Sequence, residues 1–129
     1  MLVVAIAIGG ALGALARFGV SSWMPNLTGF GFPWGTLIVN VTGSFLIGFT
    51  VRYLDAVSVT PEVRALLTIG FLGAFTTFSA YSLESLALVR GGDWGRAAIY
   101  SGGSVLLGVA AVGCGLATAA MVLRGTGNP

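Results

Sequence analysis

Four long apolar stretches, separated by short polar connections, make up almost the whole chain. The stretches cover residues 2–23, 34–54, 62–89 and 96–123, and a membrane-spanning helix needs roughly 20 such residues. The connections at 24–33, 55–61 and 90–95 hold Pro, Gly, Asn or Asp residues, which interrupt helices. Trp23, Trp34 and Trp94 lie at the ends of the stretches, where an indole ring favours the headgroup layer. The pattern predicts an all-α membrane protein of four transmembrane helices in a single domain, residues 1–129.

The composition of the chain agrees with a lipid environment and excludes several functions. Hydrophobic residues make up 56% of the chain and charged residues 8%, whereas soluble domains carry about 25% charged residues. The net charge of +2 and the lack of a basic patch argue against a nucleic-acid partner. The chain has no His and a single Cys, Cys114, so a His-based catalytic triad and a zinc site of the usual type are both excluded.

The first apolar stretch has one feature of a cleaved signal peptide. Ala14, Leu15 and Ala16 form a small-residue pattern that resembles a cleavage site. A basic region before the apolar stretch is missing, because Met1 runs straight into apolar sequence. We therefore expect this stretch to be a retained transmembrane helix.

The arginines are distributed almost evenly between the two sides of the predicted bundle. With four spans, one side carries Arg52, Arg64 and Arg124, and the other carries Arg90, Arg96 and, nearer to it, Arg17. Lys/Arg asymmetry in short loops sets the orientation of a membrane protein. Its near absence predicts insertion in both orientations and pairing as an antiparallel dimer, the two-chain form of an inverted repeat. A single orientation with a weak signal is the alternative.

Small residues recur at helical spacing in three of the spans. The pairs are Gly9 with Gly13, Ser44 with Gly48, and Ser104 with Gly108. Such pairs let helix backbones approach closely, which favours association in lipid.

Polar side chains within the second and fourth spans are candidate pore residues. Thr36, Asn40 and Ser44 follow one another every four residues and share a helix face, and so do Tyr100, Ser104 and Gly108. Polar groups in lipid are costly and usually functional. Their amide and hydroxyl groups are interpreted as donors that line a pore, and interhelical hydrogen bonding is the alternative.

The third span contains a candidate helix break. Gly70 and Gly73 precede the adjacent β-branched residues Thr76 and Thr77 near the middle of the span. A break at membrane depth persists only inside protein or beside water, and its free carbonyl oxygens suit a hard cation. The alternative is a continuous helix whose threonines bond back to preceding carbonyl groups.

Two aromatic residues and two charged residues complete the candidates. Phe78 and Tyr81 share a face, and ring edges carry positive charge that can hold a small anion; simple packing is the alternative. Arg17 lies late in the first span, where it either snorkels to the interface or sets a positive potential at a pore mouth. Glu84 could be a pore residue, a proton carrier or a partner of Arg17.

Three motifs, in this order, resemble those of the bacterial fluoride channels, the CrcB/Fluc family. They begin at Gly9 (GGALGALARF), Gly35 (GTLIVNVTGS) and Gly70 (GFLGAFTTFS), and the resemblance covers nearly the whole chain. It implies a multi-pass protein of the cell inner membrane that forms an antiparallel, dual-topology homodimer. It also implies passive, fluoride-specific export that lowers the toxicity of fluoride in the cytoplasm.

The resemblance assigns roles to individual residues. Asn40 would be the pore amide, Phe78 and Tyr81 the aromatic rings, and the remaining pore residues would be Ser79, Tyr100, Ser104, Thr36, Arg17 and Glu84. The backbone carbonyl groups of Gly73 and Thr76, from both subunits, would hold a structural sodium ion that is not transported. The chain departs from the family pattern at Ala80 and Gly108, which each lack a hydroxyl, and at Tyr81, which replaces a Phe.

Two rival functions are compatible with a small four-helix membrane protein. A proton-coupled exporter of the small multidrug type needs an intramembrane carboxylate, and Glu84 is its only candidate. A non-transporting membrane scaffold would suit the small-residue faces. An enzyme is not expected, because no nucleophile–base pair is present.

Overall fold

The computed structural model describes residues 1–28 and 31–125, and within them the chain is helical with short connections. The α-helices are α1 (Leu2–Thr28), α2 (Trp34–Ala56), α3 (Pro61–Ala65), α4 (Gly73–Phe75), α5 (Phe78–Arg90) and α6 (Trp94–Gly125). A π-helical segment, Leu66–Leu72, joins α3 to α4. Strands are absent from the described part of the chain.

The four predicted membrane-spanning helices are confirmed by length and composition. The candidate spans are Leu2–Met24, Trp34–Ala56, Pro61–Arg90 and Trp94–Gly125, and their ends lie within two residues of the predicted ones. The first predicted connection, 24–33, begins later than expected because α1 continues to Thr28. Residues 29 and 30 of that connection lie outside the described residues.

The third span changes its packing partner along its length. Its first half, the π-helical segment with α4, packs on α1, whereas its second half, α5, packs on α6. The most extensive contact in the described chain is between α2 and α6. Thr76 and Thr77, which separate the two halves of the third span, have extended backbone angles.

Glycines allow the closest helix contacts. A Cβ atom at Gly9 or Gly13 of α1 would collide with the backbone carbonyl oxygen of Leu66 or Phe71 in the π-helical segment. A Cβ atom at Gly115 of α6 would collide with the carbonyl oxygen of Phe45 in α2. These pairs of helices therefore approach at backbone distance, as small residues permit in membrane proteins.

The connection between α2 and α3 is closed by one arginine. Arg64 donates hydrogen bonds of 2.8 Å to the Asp55 carboxylate and to the Leu54 carbonyl oxygen near the end of α2. Thr60 caps α3 by accepting from the Val63 amide at 3.4 Å, and Pro61 follows it. Cations and caps at these positions satisfy helix-end groups that have no partner within the helix.

A first prediction concerns the α2–α6 contact. Gly115→Ala should lower the free energy of unfolding by about 1–3 kcal/mol, because a methyl group would press on rigid backbone. Thermal unfolding of the purified protein in detergent measures the effect. The matched control is Gly113→Ala in the same helix, where a Cβ atom meets nothing within 4 Å. Equal stability of the two variants would contradict the packing described above.

Candidate functional site

The candidate site is built around the two extended residues in the third span. Thr76 (φ −77°, ψ 157°) ends α4, and Thr77 (φ −149°, ψ 119°) precedes α5. The Thr77 hydroxyl caps α5 by accepting from the Ala80 amide at 3.2 Å. The Thr76 hydroxyl donates back to the Leu72 carbonyl oxygen at 3.1 Å. The chain therefore leaves helical geometry for two residues with its side-chain hydroxyls bonded to the adjoining helices.

Asn40 of α2 binds the backbone of Thr77 at two points. Its Oδ1 accepts from the Thr77 amide at 2.8 Å, and its Nδ2 donates to the Thr77 carbonyl oxygen at 3.0 Å. In a continuous α-helix the Thr77 amide would donate to the Gly73 carbonyl oxygen. The Gly73 carbonyl group therefore loses its helical partner, and one amide hydrogen of Asn40 remains for another acceptor.

The two extended residues, Thr76 and Thr77, are called the break. One groove lies against them and is called the break groove. It has a volume of about 410 Å³. Its lining is Asn40, Gly43, Ser44, Ile47, Thr68, Leu72, Gly73, Thr76, Thr77 and Phe78.

A second groove, the arginine groove, also borders Thr77 and has a volume of about 520 Å³. Its lining is Ala14, Arg17, Phe18, Ser21, Thr36, Thr77, Ser79, Ala80, Leu83 and Glu84. The Arg17 guanidinium makes a long hydrogen bond of 3.5 Å to the Thr76 carbonyl oxygen. Arg17 and Glu84 share this groove, but ion pairs within the described ranges join Arg64 to Asp55 and Arg96 to Asp93 instead.

The Glu84 carboxylate receives two hydroxyl groups from neighbouring helices. Thr36 of α2 donates to Oε1 at 2.8 Å, and Tyr100 of α6 donates to Oε2 at 2.6 Å. Both donors are buried, with 5% and 1% of their surface exposed. Each hydroxyl has one hydrogen, so in this arrangement both direct it to Glu84 and present only their oxygen atoms elsewhere.

Aromatic rings continue from the break groove towards α6. Phe78 is 79% exposed, and its ring centroid lies 5.4 Å from that of Tyr81. The ring centroids of Tyr81 and Tyr100 are 5.6 Å apart. The Tyr100 ring also contacts the Phe32 ring edge-on, with the centroids 5.5 Å apart. The Tyr81 hydroxyl donates to the Ser101 carbonyl oxygen at 3.1 Å. The rings of Phe78, Tyr81 and Tyr100 therefore form a row from the break groove to α6.

The serines predicted as pore residues occupy different positions. The Ser79 hydroxyl lies 3.1 Å from that of Thr77, in the arginine groove. The Ser104 hydroxyl is buried and has no hydrogen-bond partner within the part of the chain that the structure describes, and Ser104 lines neither groove. A buried polar atom without a partner is costly, so this hydroxyl is a candidate for contact with an ion or a water molecule.

Eight of the predicted site residues line one of the two grooves, both of which include Thr77, whereas Tyr81, Tyr100 and Ser104 line neither. Asn40, Gly73, Thr76 and Phe78 line the break groove, and Arg17, Thr36, Ser79 and Glu84 line the arginine groove. Sequence reasoning missed the partner role of Thr77 and the hydrogen bond of 3.1 Å between Ser101 and Ser85. The position of Ser85 and Ser101 as polar residues within apolar stretches is the signal that could have indicated this hydrogen bond.

Carbonyl oxygens are the groups near the break that could hold a metal ion. Clusters of three or more His, Cys, Asp or Glu side chains are absent from the described residues. The Gly73 carbonyl group, which has lost its helical partner, and the Thr76 carbonyl group, which accepts the long contact from Arg17, are compatible with a hard cation.

Comparison with known proteins identifies the family. The family described as "CrcB-like protein, Camphor Resistance (CrcB)" matches residues 4–116. The chain belongs to the CrcB family. This CrcB protein is 50% identical over 104 residues to a protein of Thermus thermophilus, with 81% of this chain and 82% of the relative covered. It is 46% identical over 112 residues to a protein of Acidobacterium capsulatum, with 86% and 90% covered.

A third relative, from Nitratidesulfovibrio vulgaris, is 42% identical over 121 residues, and the match covers 93% of this CrcB protein and 98% of the relative. All three relatives bear the name "Fluoride-specific ion channel FluC". They are named as ion channels and not as enzymes. The family resemblance inferred from the three motifs is therefore confirmed, and the four spans make this CrcB protein a multi-pass membrane protein.

A second prediction concerns the carboxylate that ties three helices together. Glu84→Ala should lower the free energy of unfolding, because it leaves the buried Thr36 and Tyr100 hydroxyls without their acceptor, at about 1–3 kcal/mol for each unpaired group. Unfolding in mixed micelles measures the change. The control is Glu62→Ala in the first turn of α3, with an expected effect within about 0.5 kcal/mol. A similar small effect for Glu84→Ala would show that these bonds do not stabilise the bundle.

Proposed function

We propose that this CrcB protein is a fluoride-specific ion channel that exports fluoride passively across the cell inner membrane and so lowers fluoride toxicity. The observation that carries the proposal is the identity of 42–50%, over 81–93% of the chain, to relatives named as fluoride-specific channels. Passive flow follows the membrane potential, and an interior that is negative drives an anion outwards.

The chemistry of the two grooves supports this function. Fluoride is small and strongly hydrated, so a pore must replace its water with fixed donors. Conduction also requires several weak sites, because one strong site would retain the ion. Asn40 keeps one amide hydrogen free, and the Ser79 hydroxyl lies in the next groove. Neutral donors of this kind bind an anion without the strength of a full charge.

Aromatic ring edges would provide further weak sites. The edges of Phe78 and Tyr81 carry partial positive charge, and Phe78 lies beside the groups that line the break groove. The phenol of Tyr81 is engaged with the Ser101 carbonyl oxygen, which leaves the ring edge as its available contact. We propose that these rings and the Ser104 hydroxyl continue the ion path, with Thr36, Arg17, Tyr100 and Glu84 around its approach.

The working unit that we propose is an antiparallel, dual-topology homodimer. Both grooves are open at the surface of one subunit, and Phe78 is 79% exposed beside one of them. A second, inverted copy would cover these surfaces and exclude lipid from the ion path, because polar groups at membrane depth require protein or water around them. The balanced arginines on the two sides of the bundle support insertion in both orientations.

The second part of the proposal is a structural sodium ion between the two subunits. The Gly73 and Thr76 carbonyl groups of each copy would hold it, and the ion would cross-link two helix breaks by binding oxygen atoms of both chains. Gly73 is exposed in the single subunit and is available to a partner. Hard cations of this kind prefer carbonyl oxygen ligands.

A third prediction tests the function directly. Purified protein in liposomes should release fluoride but not chloride, as recorded with ion-selective electrodes. Phe78→Ile should reduce the release to that of protein-free liposomes, because the isoleucine has no ring edge. The control variant is Phe49→Ile, since the Phe49 ring stacks on Tyr53 and lines neither groove.

The results distinguish the rival functions. Absence of fluoride release by the unmodified protein would contradict the channel and favour a scaffold. Release of organic cations that depends on a pH gradient would favour the exporter with Glu84 as its carboxylate. Full fluoride release by Phe78→Ile would contradict the role of the ring.

A fourth prediction concerns the sodium ion. Replacing sodium by choline at constant ionic strength should lower the unfolding free energy of the detergent-solubilised protein, by about 2–3 kcal/mol where sodium was 100-fold above its dissociation constant. Thermal unfolding over a sodium titration gives the midpoint. The control is replacement of the anion with sodium constant. Identical unfolding in sodium and choline would contradict the proposed ion.

A further inference from the structure

We infer that Asn40 is a positioning residue that holds the helix break by binding both backbone groups of Thr77. Substitution of Asn40 would then alter the break groove by moving the backbone of Thr77, in addition to removing one donor to the ion. The inference rests on the proposed function only where it concerns ion flow. The two-point contact itself can be tested without fluoride.

The contact uses half of the hydrogen-bonding capacity of the Asn40 side chain. The bonds of 2.8 Å and 3.0 Å occupy Oδ1 and one hydrogen of Nδ2. Extended backbone within a membrane helix leaves amide and carbonyl groups without helical partners, and in lipid such groups must be satisfied by protein or water. A side-chain amide supplies a donor and an acceptor at the spacing of one peptide group, so a single residue satisfies both groups.

Asn40 is the main residue through which α2 holds the break in place. The helix α2 meets α4 and α5 over short regions only, whereas it packs extensively on α6. From the other side, Arg17 of α1 reaches the Thr76 carbonyl oxygen at 3.5 Å, which is a weaker contact. Loss of Asn40 would therefore leave the Thr77 peptide groups without their protein partners.

Gly43, three residues further along α2, offers an independent way to disturb the break. A Cβ atom at Gly43 would collide with the Thr76 methyl carbon Cγ2. Gly43 has no side-chain donor, so its substitution changes the break without removing a donor from the ion path. Thr76→Ser removes the colliding methyl group and keeps the hydroxyl that donates to Leu72.

The first experiment measures hydrogen exchange at the break. Exchange at the Thr77 amide, followed by mass spectrometry of peptides covering residues 76–80, should be roughly tenfold faster in Asn40→Ala than in the unmodified protein. Thr77 lines both grooves, so water reaches this amide once its bond is lost. The control is Thr118→Ala, whose hydroxyl bonds only within α6, to Cys114. Unchanged exchange in Asn40→Ala would overturn the inference.

The second experiment separates positioning from donation to the ion. Gly43→Ala should lower fluoride release from liposomes by roughly tenfold and should speed exchange at Thr77. The double variant Gly43→Ala/Thr76→Ser should recover most of both properties relative to Gly43→Ala, with Thr76→Ser measured alone as the reference. A merely destabilising effect of the methyl group elsewhere would not be rescued at Thr76.

The outcomes decide the inference even where one variant fails to fold. If Asn40→Ala cannot be purified, accelerated exchange in Gly43→Ala and its rescue by Thr76→Ser support the role of the break. If Gly43→Ala keeps full fluoride release although hydrogen exchange at the Thr77 amide is faster, the geometry of the break does not control fluoride release and the inference is overturned. If the unmodified protein releases no fluoride, the proposed function fails, while the exchange data still decide whether Asn40 holds Thr77.

Discussion

The site depends on the need to satisfy the backbone of two extended residues inside a membrane helix. A break removes helical hydrogen bonds, and lipid offers no replacement for them. In this CrcB protein Asn40 bonds the amide and carbonyl groups of Thr77, and the Thr77 hydroxyl caps the following helix. The same arrangement frees the Gly73 carbonyl group. One set of bonds thus stabilises the break and exposes an acceptor that a continuous helix would have used internally.

The two extended residues also coincide with a change in how the third span packs. Its first half lies on α1 at backbone distance, which Gly9 and Gly13 permit, and its second half lies on α6. A straight helix fixed closely to α1 could not turn to α6 without losing one of the two contacts. Thr77, one of the two extended residues, lines both grooves. The change of packing partner and the two grooves are therefore found at the same short segment of the third span.

Some of this architecture follows from the sequence and some does not. Length and apolarity were sufficient to predict four spans, since a bilayer fixes the length of a helix that crosses it. Gly70 and Gly73, followed by the adjacent Thr76 and Thr77, indicated that the chain could leave helical geometry near Thr76. The same residues were also compatible with a continuous helix. The partner of Asn40 could not be predicted, because Thr77 is 37 positions away and only packing brings the two together. The π-helical segment, Leu66–Leu72, has no recognisable signal in the sequence.

Glu84 shows most clearly what side-chain types alone leave undecided. Thr36 and Tyr100 looked like donors to an anion, yet each hydroxyl has one hydrogen and directs it to the Glu84 carboxylate. In this arrangement they cannot also donate to fluoride. The carboxylate itself repels an anion, and its two oxygen atoms are shielded by the donors that bind it. Under the proposed function, donation to the ion would then fall to groups that are not bound to Glu84: the second amide hydrogen of Asn40, the Ser79 and Ser104 hydroxyls and the ring edges. Participation of Thr36 or Tyr100 in conduction would require the passing ion to compete with Glu84 for their hydrogens.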